Sequence, residues 1–211
     1  MKLKVFFKGQ WLISLTILPF LLMPSVVFAE VPMPQALIKT SSDRMQKALK
    51  ENKTTIEKNP SFVYGLVDKI LLPHFDFSKM SKLALGKNWR KATTAQRERF
   101  VGEFRLLLVR TYSTAMLEFI DGDIVFLPFR GDLAKKKVKV KMEIARLDGP
   151  TIPMALSMYH NKQKKWMVYD VKIDGISLVT NYRSTFATEI RNDGMDKLIE
   201  TLSTRNQKVK L

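Results

Sequence analysis

Cysteine is absent from this 211-residue chain, and histidine is nearly so, with His74 and His160 as its two examples. A chain without cysteine has no disulfide, no thiol nucleophile and no cysteine-based zinc or iron–sulfur site. Neither histidine belongs to an arrangement with serine and acid, and the sequence has no H-x-x-x-H spacing and no G-x-S-x-G motif. These absences argue against a hydrolase triad and a metal centre.

Other signs of catalysis are also scarce. Asp170 and Asp174 lie four residues apart near the end of a predicted strand, a spacing that could flank a site. We favour a turn cap and an ion pair for these two residues, because basic neighbours are plentiful. No glycine-rich phosphate loop is present. The sequence therefore predicts a protein that is not an enzyme.

Acidic residues are outnumbered, 20 to 36, which gives a formal net charge of +16. Such a balance attracts nucleic acid, anionic membranes or acidic proteins, or it simply aids solubility. No nucleic-acid-binding signature accompanies the charge, and the export signal described next also argues against nucleic acid. The cluster Lys135 to Lys137 is the densest basic site, and one hypothesis is that it docks an acidic partner or a membrane.

The first 29 residues have the pattern of a signal peptide. Three lysines precede an apolar run from Trp11 to Met23, and Val27 to Ala29 offers small residues for cleavage. A run this short does not comfortably span a bilayer, which needs about 20 residues, although a retained anchor is the alternative. Cleavage after Ala29 would leave residues 30–211 as a single exported domain with a charge of +13, suited to a Gram-negative periplasm.

Helical patterns dominate the first half of the chain. The longest predicted helix runs from Thr93 to Phe119, and Thr93 with Gln96 has the spacing of a capping box. Apolar residues recur along it at three- and four-residue steps. It is either an ordinary core helix or one wall of an apolar cavity. Two further helices are predicted near the C-terminus, on either side of Gly194.

After the central helix the apolar period changes from 3.6 to 2. Four strands are predicted: Ile124 to Arg130, Lys137 to Ile144, a return strand from Ile152, and Trp166 to Ile173, with Gly175 closing the sheet. The turn signal Asp148–Gly149 joins the second strand to the third. Helices, then a four-stranded antiparallel meander, then helices, predict an α+β fold.

Large, soft apolar side chains are abundant, with thirteen phenylalanines, eleven methionines and three tryptophans. Met142, Met154 and Met158 all fall on predicted buried positions of the sheet. Because methionine adapts to irregular contents, such faces occur at permissive apolar sites as well as in ordinary cores. Composition alone leaves both readings open.

Two long blocks carry a family resemblance. LALGKNWRKATTAQRERFVGEFRLLLVRTY (83–112) and WMVYDVKIDGISLVTNYRSTFATEIRNDGMDKLIETL (166–202), with the segment LLPHFDF (71–77), are similar to the MlaC family, also called the toluene-tolerance auxiliary family. The similarity runs from about Gln35 to Leu202. Two departures are small: Asp174 stands where glutamate is expected, and Lys135 to Lys137 is more basic than is typical.

The resemblance implies a periplasmic carrier of glycerophospholipid that maintains the lipid asymmetry of the outer membrane. It implies an NTF2-like curved sheet whose helices enclose an apolar pocket, with phospholipid as cargo and no cofactor. The implied partners are an MlaA-like lipoprotein–porin complex in the outer membrane and an inner-membrane ABC transporter with an MCE-domain protein (MlaFEDB-like). Two alternatives are a non-carrying adaptor with a solid core and an NTF2-like hydrolase or isomerase with a polar group inside its pocket.

Pocket-lining residues follow from the predicted inward faces. On the sheet they are Val140, Met142, Ile144, Met154, Leu156, Met158, Trp166 and Val168. On the facing helices they are Leu83, Phe104, Leu108, Tyr112 and Met116. Simple core packing is the alternative for each of them. On the last strand the other face, with Met167, Tyr169 and Val171, is equally apolar, so its orientation stays open.

Overall fold

The structure is a computed structural model that describes residues 33–113, 117, 122–146 and 149–208. The predicted signal peptide lies outside these residues. Helices come first along the chain, then a sheet, then a long helix. The helices are α1 (Pro34–Glu51), α2 (Lys53–Lys58), α3 (Phe62–Ile70), a 3-10 turn (Leu72–His74), α4 (Phe77–Leu85), α5 (Asn88–Lys91), α6 (Thr94–Ser113) and α7 (Leu178–Lys208). Within the described ranges, none of these helices has the length and apolarity needed to cross a bilayer.

The sheet is an antiparallel meander of five strands, each paired with its neighbours in sequence. The strands are β1 (Ile124–Phe126), β2 (Lys137–Ile144), β3 (Ile152–His160), β4 (Trp166–Ile173) and β5 (Ile176–Ser177). The predicted α+β class is confirmed, but the predicted count of four strands was wrong by one. Asp174 and Gly175, both at positive φ, turn the chain tightly, so that β5 pairs with β4 where the sheet was expected to end.

Strand β1 is shorter than the predicted Ile124 to Arg130. It ends at Phe126, and Leu127 still donates a main-chain hydrogen bond to the Lys141 carbonyl at 3.0 Å. Pro128 follows, and proline has no N–H with which to continue a ladder. The chain therefore leaves the edge of β2 at this point.

Strand β4 contains an irregularity that periodicity could not reveal. Val168 lies opposite Met158, whereas Val171, three residues later, lies opposite Leu156, two residues earlier. The extra residue is a β-bulge, which shifts the alternation of side chains by one position. Val168 and Val171 are consequently both buried although an odd number of residues separates them.

Helix α6 begins as predicted. The Gln96 amide N–H donates to Thr93 Oγ1 at 3.1 Å, and the Thr93 amide N–H donates to Gln96 Oε1 at 3.0 Å, which is the reciprocal capping box. The helix is described as far as Ser113. Part of its predicted extension to Phe119 lies outside the described residues.

Asp76 fixes helix α4 against the sheet. Its carboxylate caps α4 by accepting from the Lys79 amide at 2.8 Å, and its own amide donates to the Val168 carbonyl at 2.9 Å. The hydroxyl of Tyr159 on β3 donates to the same carboxylate. Asp76 thereby joins the start of α4 to two strands, to β3 through its side chain and to β4 through its main-chain amide.

Helix α7 carries the predicted break. Gly194 has φ 84° and ψ 172°, which is not helical, so two helices meet at this residue. Glycine suits the position because side chains disfavour positive φ. The break lets both halves of α7 bury apolar residues, including Phe186 before it and Leu198 after it.

The buried apolar residues form two clusters. The larger one, here the sheet cluster, joins the inward face of the sheet to α4, α6 and α7 and includes Phe100, Phe104 and Val140. The smaller one, the cap cluster, lies among α1, α2 and α3 and includes Met45 and Val67. The boundary between the clusters is where the candidate site lies.

Candidate functional site: an apolar cavity between two clusters

A cavity of about 200 Å³ lies where the cap cluster meets the sheet cluster. Met80 and Leu108 on its wall belong to the sheet cluster, whereas Val67 belongs to the cap cluster. Helices and strands from both halves of the chain therefore build one cavity. The cavity is the space that the side chains of the two clusters leave unfilled between them.

The sheet supplies one wall from the end at which β2 finishes and β3 begins. Its lining residues are Ile124, Met142, Ile144, Met154, Leu156, Val171 and Ile173. Each belongs to β1, β2, β3 or β4. Because of the bulge in β4, Val171 and Ile173 face the cavity while Val168 faces the same side of the sheet further along.

The helices supply the opposite wall. Leu108, Val109, Tyr112 and Ser113 come from the last two turns of α6, and Leu178 comes from the start of α7. The remaining lining residues lie in the N-terminal helices and the segment before α4: Ile38, Ser41, Ser42, Val67, Leu71, Leu72, His74, Phe75, Phe77 and Met80. Phe75 and Phe77 stack with ring centroids 6.0 Å apart.

The few polar groups on the wall are uncharged at neutral pH. Burial, and after it the Arg44 guanidinium, lower the pKa of His74 below its usual value, so its ring is neutral. Burial and the neighbouring Tyr182 raise the pKa of Tyr112 to about 12, so its hydroxyl keeps its proton. Ser41 donates to the Leu37 carbonyl at 2.8 Å.

Among the described residues that line the cavity, none is aspartate, glutamate, lysine or arginine. In a chain with a net charge of +16 this separation is informative, because the basic residues are kept off this wall. A wall of this kind binds hydrocarbon, since apolar surface gains by leaving water and no buried charge has to be paired.

The thirteen sequence-predicted pocket residues divide into three groups. The cavity wall includes six of them: Leu108, Tyr112, Met142, Ile144, Met154 and Leu156. Six others belong to the sheet cluster away from the wall: Leu83, Phe104, Val140, Met158, Trp166 and Val168. Met116 lies outside the described residues. Lipid contact by any of them remains a prediction.

Sequence reasoning missed the contribution of the N-terminal helices. Val67, Leu71 and Ile38 line the cavity, yet their patterns read as ordinary surface or core helices. The signal that could have found them is the inter-helix segment from Leu71 to Phe77, whose apolar residues and His74 form a large part of the wall.

Asp170 and His160, which were considered for catalysis in the sequence analysis, make structural contacts. Asp170 accepts from the Ser177 hydroxyl at 2.8 Å and from the Val179 amide at 3.2 Å, which caps the start of α7. His160 packs on Trp166 with ring centroids 3.8 Å apart. No cluster of three metal-ligating residues occurs in the part of the chain that the structure describes.

Comparisons with known proteins agree with this arrangement. The family model described as MlaC protein matches residues 39–204. The toluene tolerance protein Ttg2D of Pseudomonas putida is 28% identical over 170 residues, covering 79% of this chain and 78% of the relative. The intermembrane phospholipid transport system binding protein MlaC of Haemophilus influenzae is 22% identical over 193 residues, covering 90% of each.

A solved structure is similar to this chain in fold as well as in sequence. The phospholipid-binding protein from Ralstonia solanacearum, solved in complex with a phospholipid, superposes with a TM-score of 0.76 and 28% identity. The match covers 82% of this chain and 97% of the other. With a family match across most of its length and the same fold as a solved relative, this chain belongs to the MlaC family.

Proposed function

We propose that this protein is a periplasmic carrier that holds a phospholipid by its acyl chains and moves it between the two membranes of a Gram-negative envelope. The observation that carries the proposal is the uncharged, apolar cavity between the two clusters. The relatives support it, because one is named for intermembrane phospholipid transport and another was solved with a phospholipid bound. This proposal is non-enzymatic and requires no cofactor.

The energetics explain why such a carrier needs an apolar wall and little else. The two acyl chains of a phospholipid carry about 30 methylene groups, and burial is worth ~0.8 kcal/mol for each. Exposing them to water would cost more than about 20 kcal/mol on that basis. Headgroup contacts can then be few, so lipids with different headgroups can bind.

The size of the cavity adds a mechanical requirement. At about 200 Å³ it is smaller than the ~300–1,000 Å³ of pockets for drug-sized ligands, and a phospholipid is larger than those. We infer that the cavity widens on loading. Main-chain hydrogen bonds hold the strands of the sheet together. Moving the cap cluster away from the sheet cluster would leave these bonds intact, so we infer that the cavity widens between the two clusters.

The family resemblance suggests the transport partners. We propose that the protein exchanges lipid with an MlaA-like lipoprotein–porin complex at the outer membrane and with an inner-membrane ABC transporter carrying an MCE-domain protein. Its transport would thereby maintain the lipid asymmetry of the outer membrane. Export by an N-terminal signal peptide, cleaved after Ala29, would deliver it to that compartment.

Native mass spectrometry tests the carrier proposal. Protein purified from a Gram-negative periplasm should carry a co-purified phospholipid, and delipidated protein should take up phospholipid again from vesicles. Empty protein from several expression hosts, together with no uptake from vesicles, would contradict the carrier and support the alternative of a non-carrying adaptor. A globular protein of similar charge that lacks a cavity serves as the control for nonspecific lipid adducts.

A further inference from the structure

The edge of β2 next to β1 is only partly paired. β1 lies opposite Met142 to Ile144, and the last main-chain hydrogen bond along this edge runs from Leu127 to the Lys141 carbonyl at 3.0 Å. Main-chain groups of alternate residues point to the same edge of a strand, so those of Lys137 and Lys139 face it as well. Within the described ranges no strand pairs with these two residues on that side.

A groove of about 720 Å³ borders this free edge and extends across the sheet as far as Tyr169 of β4. Its other wall is the segment 127–135, which leaves the sheet at Pro128. Within this segment the Phe129 ring packs against Gly131, where an added Cβ would come within 2.4 Å of the ring. Asp132 then closes a turn by accepting from the Ala134 amide at 2.9 Å. The groove therefore has two defined walls.

The groove is strongly basic. The cations that line it are Arg130, Lys135, Lys137, Lys139 and Lys141. Among the described residues none of the five has a carboxylate within ion-pair distance, and the groove's own acid, Asp132, belongs to the turn. Unpaired like charges repel one another, and an anionic ligand would relieve that repulsion.

Three of these lysines are evenly spaced. Lys137, Lys139 and Lys141 project from the exposed face of β2, and residues two apart on a strand are separated by about 6.6–6.8 Å. An extended peptide lying along the edge of β2 would present its own alternate side chains at the same interval. Opposite charges that face one another across paired strands stabilise the pairing.

We propose that this groove binds an extended acidic segment of a partner protein, which adds a strand to the free edge of β2 at Lys137 to Lys139. Main-chain hydrogen bonds to the edge supply affinity, and carboxylates opposite Lys137 and Lys139 set the register. The free main-chain groups favour a peptide over an anionic bilayer, because a lipid surface has no repeating donors and acceptors to pair with them. This site is separate from the apolar cavity and is independent of the cargo.

Calorimetry with synthetic peptides tests the proposal on the whole protein. A capped peptide of alternating glutamate and valine should bind, with binding that weakens as salt is raised. The same peptide with N-methyl groups on the main-chain nitrogens that face β2 keeps its charge but cannot form the ladder, and it should bind at least about tenfold more weakly. Equal binding of the two peptides would overturn strand addition.

Charge variants give a second readout. K137E/K139E/K141E should weaken binding of the glutamate peptide by at least about tenfold, whereas K50E/K53E/K58E, which changes the same charge on exposed lysines of the helical region, should leave it within about twofold. Circular dichroism establishes that both variants fold. If the first variant does not fold, slowed exchange of the Lys137 and Lys139 amides in the wild-type protein on adding peptide gives the same answer.

An anionic-vesicle experiment separates a membrane from a peptide. If phosphatidylglycerol vesicles bind through the same lysines and the glutamate peptide does not bind, the partner is a membrane and the proposal fails. Because peptide binding is measured on delipidated and on loaded protein, a negative result here leaves the carrier proposal intact. Failure of lipid uptake would likewise leave this site untouched.

Discussion

Two ends of the same sheet face and the same central helix build different interiors. At one end Val140, Met158 and Val168 pack in one fully buried cluster with Phe100 and Phe104 of α6, and none of these five side chains lines the cavity. At the other end the strands and α6 continue, but their side chains surround the cavity. We refer to these as the closed end and the open end. Both are apolar and buried, so burial alone does not distinguish a core from a binding cavity.

Aromatic packing explains the closed end. The Phe186 ring of α7 lies edge-on to Phe100 and Phe104, with centroids 5.4 and 5.6 Å away, and Tyr182 completes the group 5.3 Å from Phe104. Edge-to-face contact at these distances is a favoured arrangement of aromatic pairs. At the open end α6 offers Leu108 and Tyr112 instead, and the phenylalanines there, Phe75 and Phe77, form a stacked pair on the cavity wall. The two ends differ in what α7 contributes: Phe186 packs on α6 at the closed end, whereas Leu178 lines the cavity at the open end.

The largest effect is expected from truncating the closed end. Phe104→Ala should lower the free energy of unfolding by about 3–5 kcal/mol, because the removed ring leaves a cavity that rigid neighbours do not fill. Leu108→Ala at the open end should cost only about 2 kcal/mol, since that side chain already faces a void on one side. Urea unfolding of delipidated protein measures both. Equal losses would mean that the two ends are packed alike.

Larger side chains should reduce lipid binding at the open end and stability at the closed end. Leu156→Trp fills the cavity, so the variant should keep its fold and lose most of its bound phospholipid. Val140→Phe inserts bulk where there is no room and should cost about 1–3 kcal/mol of stability while the folded fraction still carries lipid. Lipid extraction with mass spectrometry gives the load per folded protein. Undiminished lipid in the Leu156 variant would contradict the assignment of the open end.

The N-terminus of α6 permits a milder test at the closed end. Thr93→Ala removes one half of the capping box and should cost about 1 kcal/mol of stability. Thr93 lies at the opposite end of α6 from the cavity residue Leu108, so the amount of bound lipid should not change. Thermal unfolding and the same lipid assay check the two expectations. A variant that kept its stability but lost its lipid would show that the closed end also contacts cargo.

The smallest effect concerns pH and His74 at the open end. Its pKa is lowered in the folded protein, so the unfolded chain takes up the proton first as pH falls below about 6.5. Stability from the neutral ring is therefore fully present above that pH and is lost as pH falls toward the folded-state pKa. His74→Gln should unfold with a shallower dependence on pH between 7.5 and 5.5 in urea titrations. Identical slopes for wild type and variant would contradict burial of the neutral ring.

Local rules predicted much of the framework. The capping box at Thr93 and Gln96, the strict alternation along β2 and the break at Gly194 each depend on a few neighbouring residues, and all three are observed. These features follow from hydrogen bonding and backbone sterics within one element. They could be predicted without knowing which other helices or strands pack against that element.

The open end could not be predicted in the same way. Alternation places Val140 and Met142 on one face of β2, but it does not say which of them lies opposite the phenylalanine cluster. The bulge in β4 depends on pairing with β3, so the inward positions of Val171 and Ile173 were not visible in the sequence. The position of a cavity along a strand depends on which helices and strands pack against it, and the strand's own sequence does not specify them.

Photo-crosslinking tests the central claim most directly. A phospholipid with a diazirine in its acyl chain would be loaded into the delipidated protein, irradiated, and its attachment sites located by peptide mass spectrometry. We predict labels at the open end, on Leu108, Met142 and Leu156 or their immediate cavity neighbours, with Phe104 and Val140 at the closed end unlabelled. Labels concentrated on the closed end, or spread over the protein surface, would contradict the account.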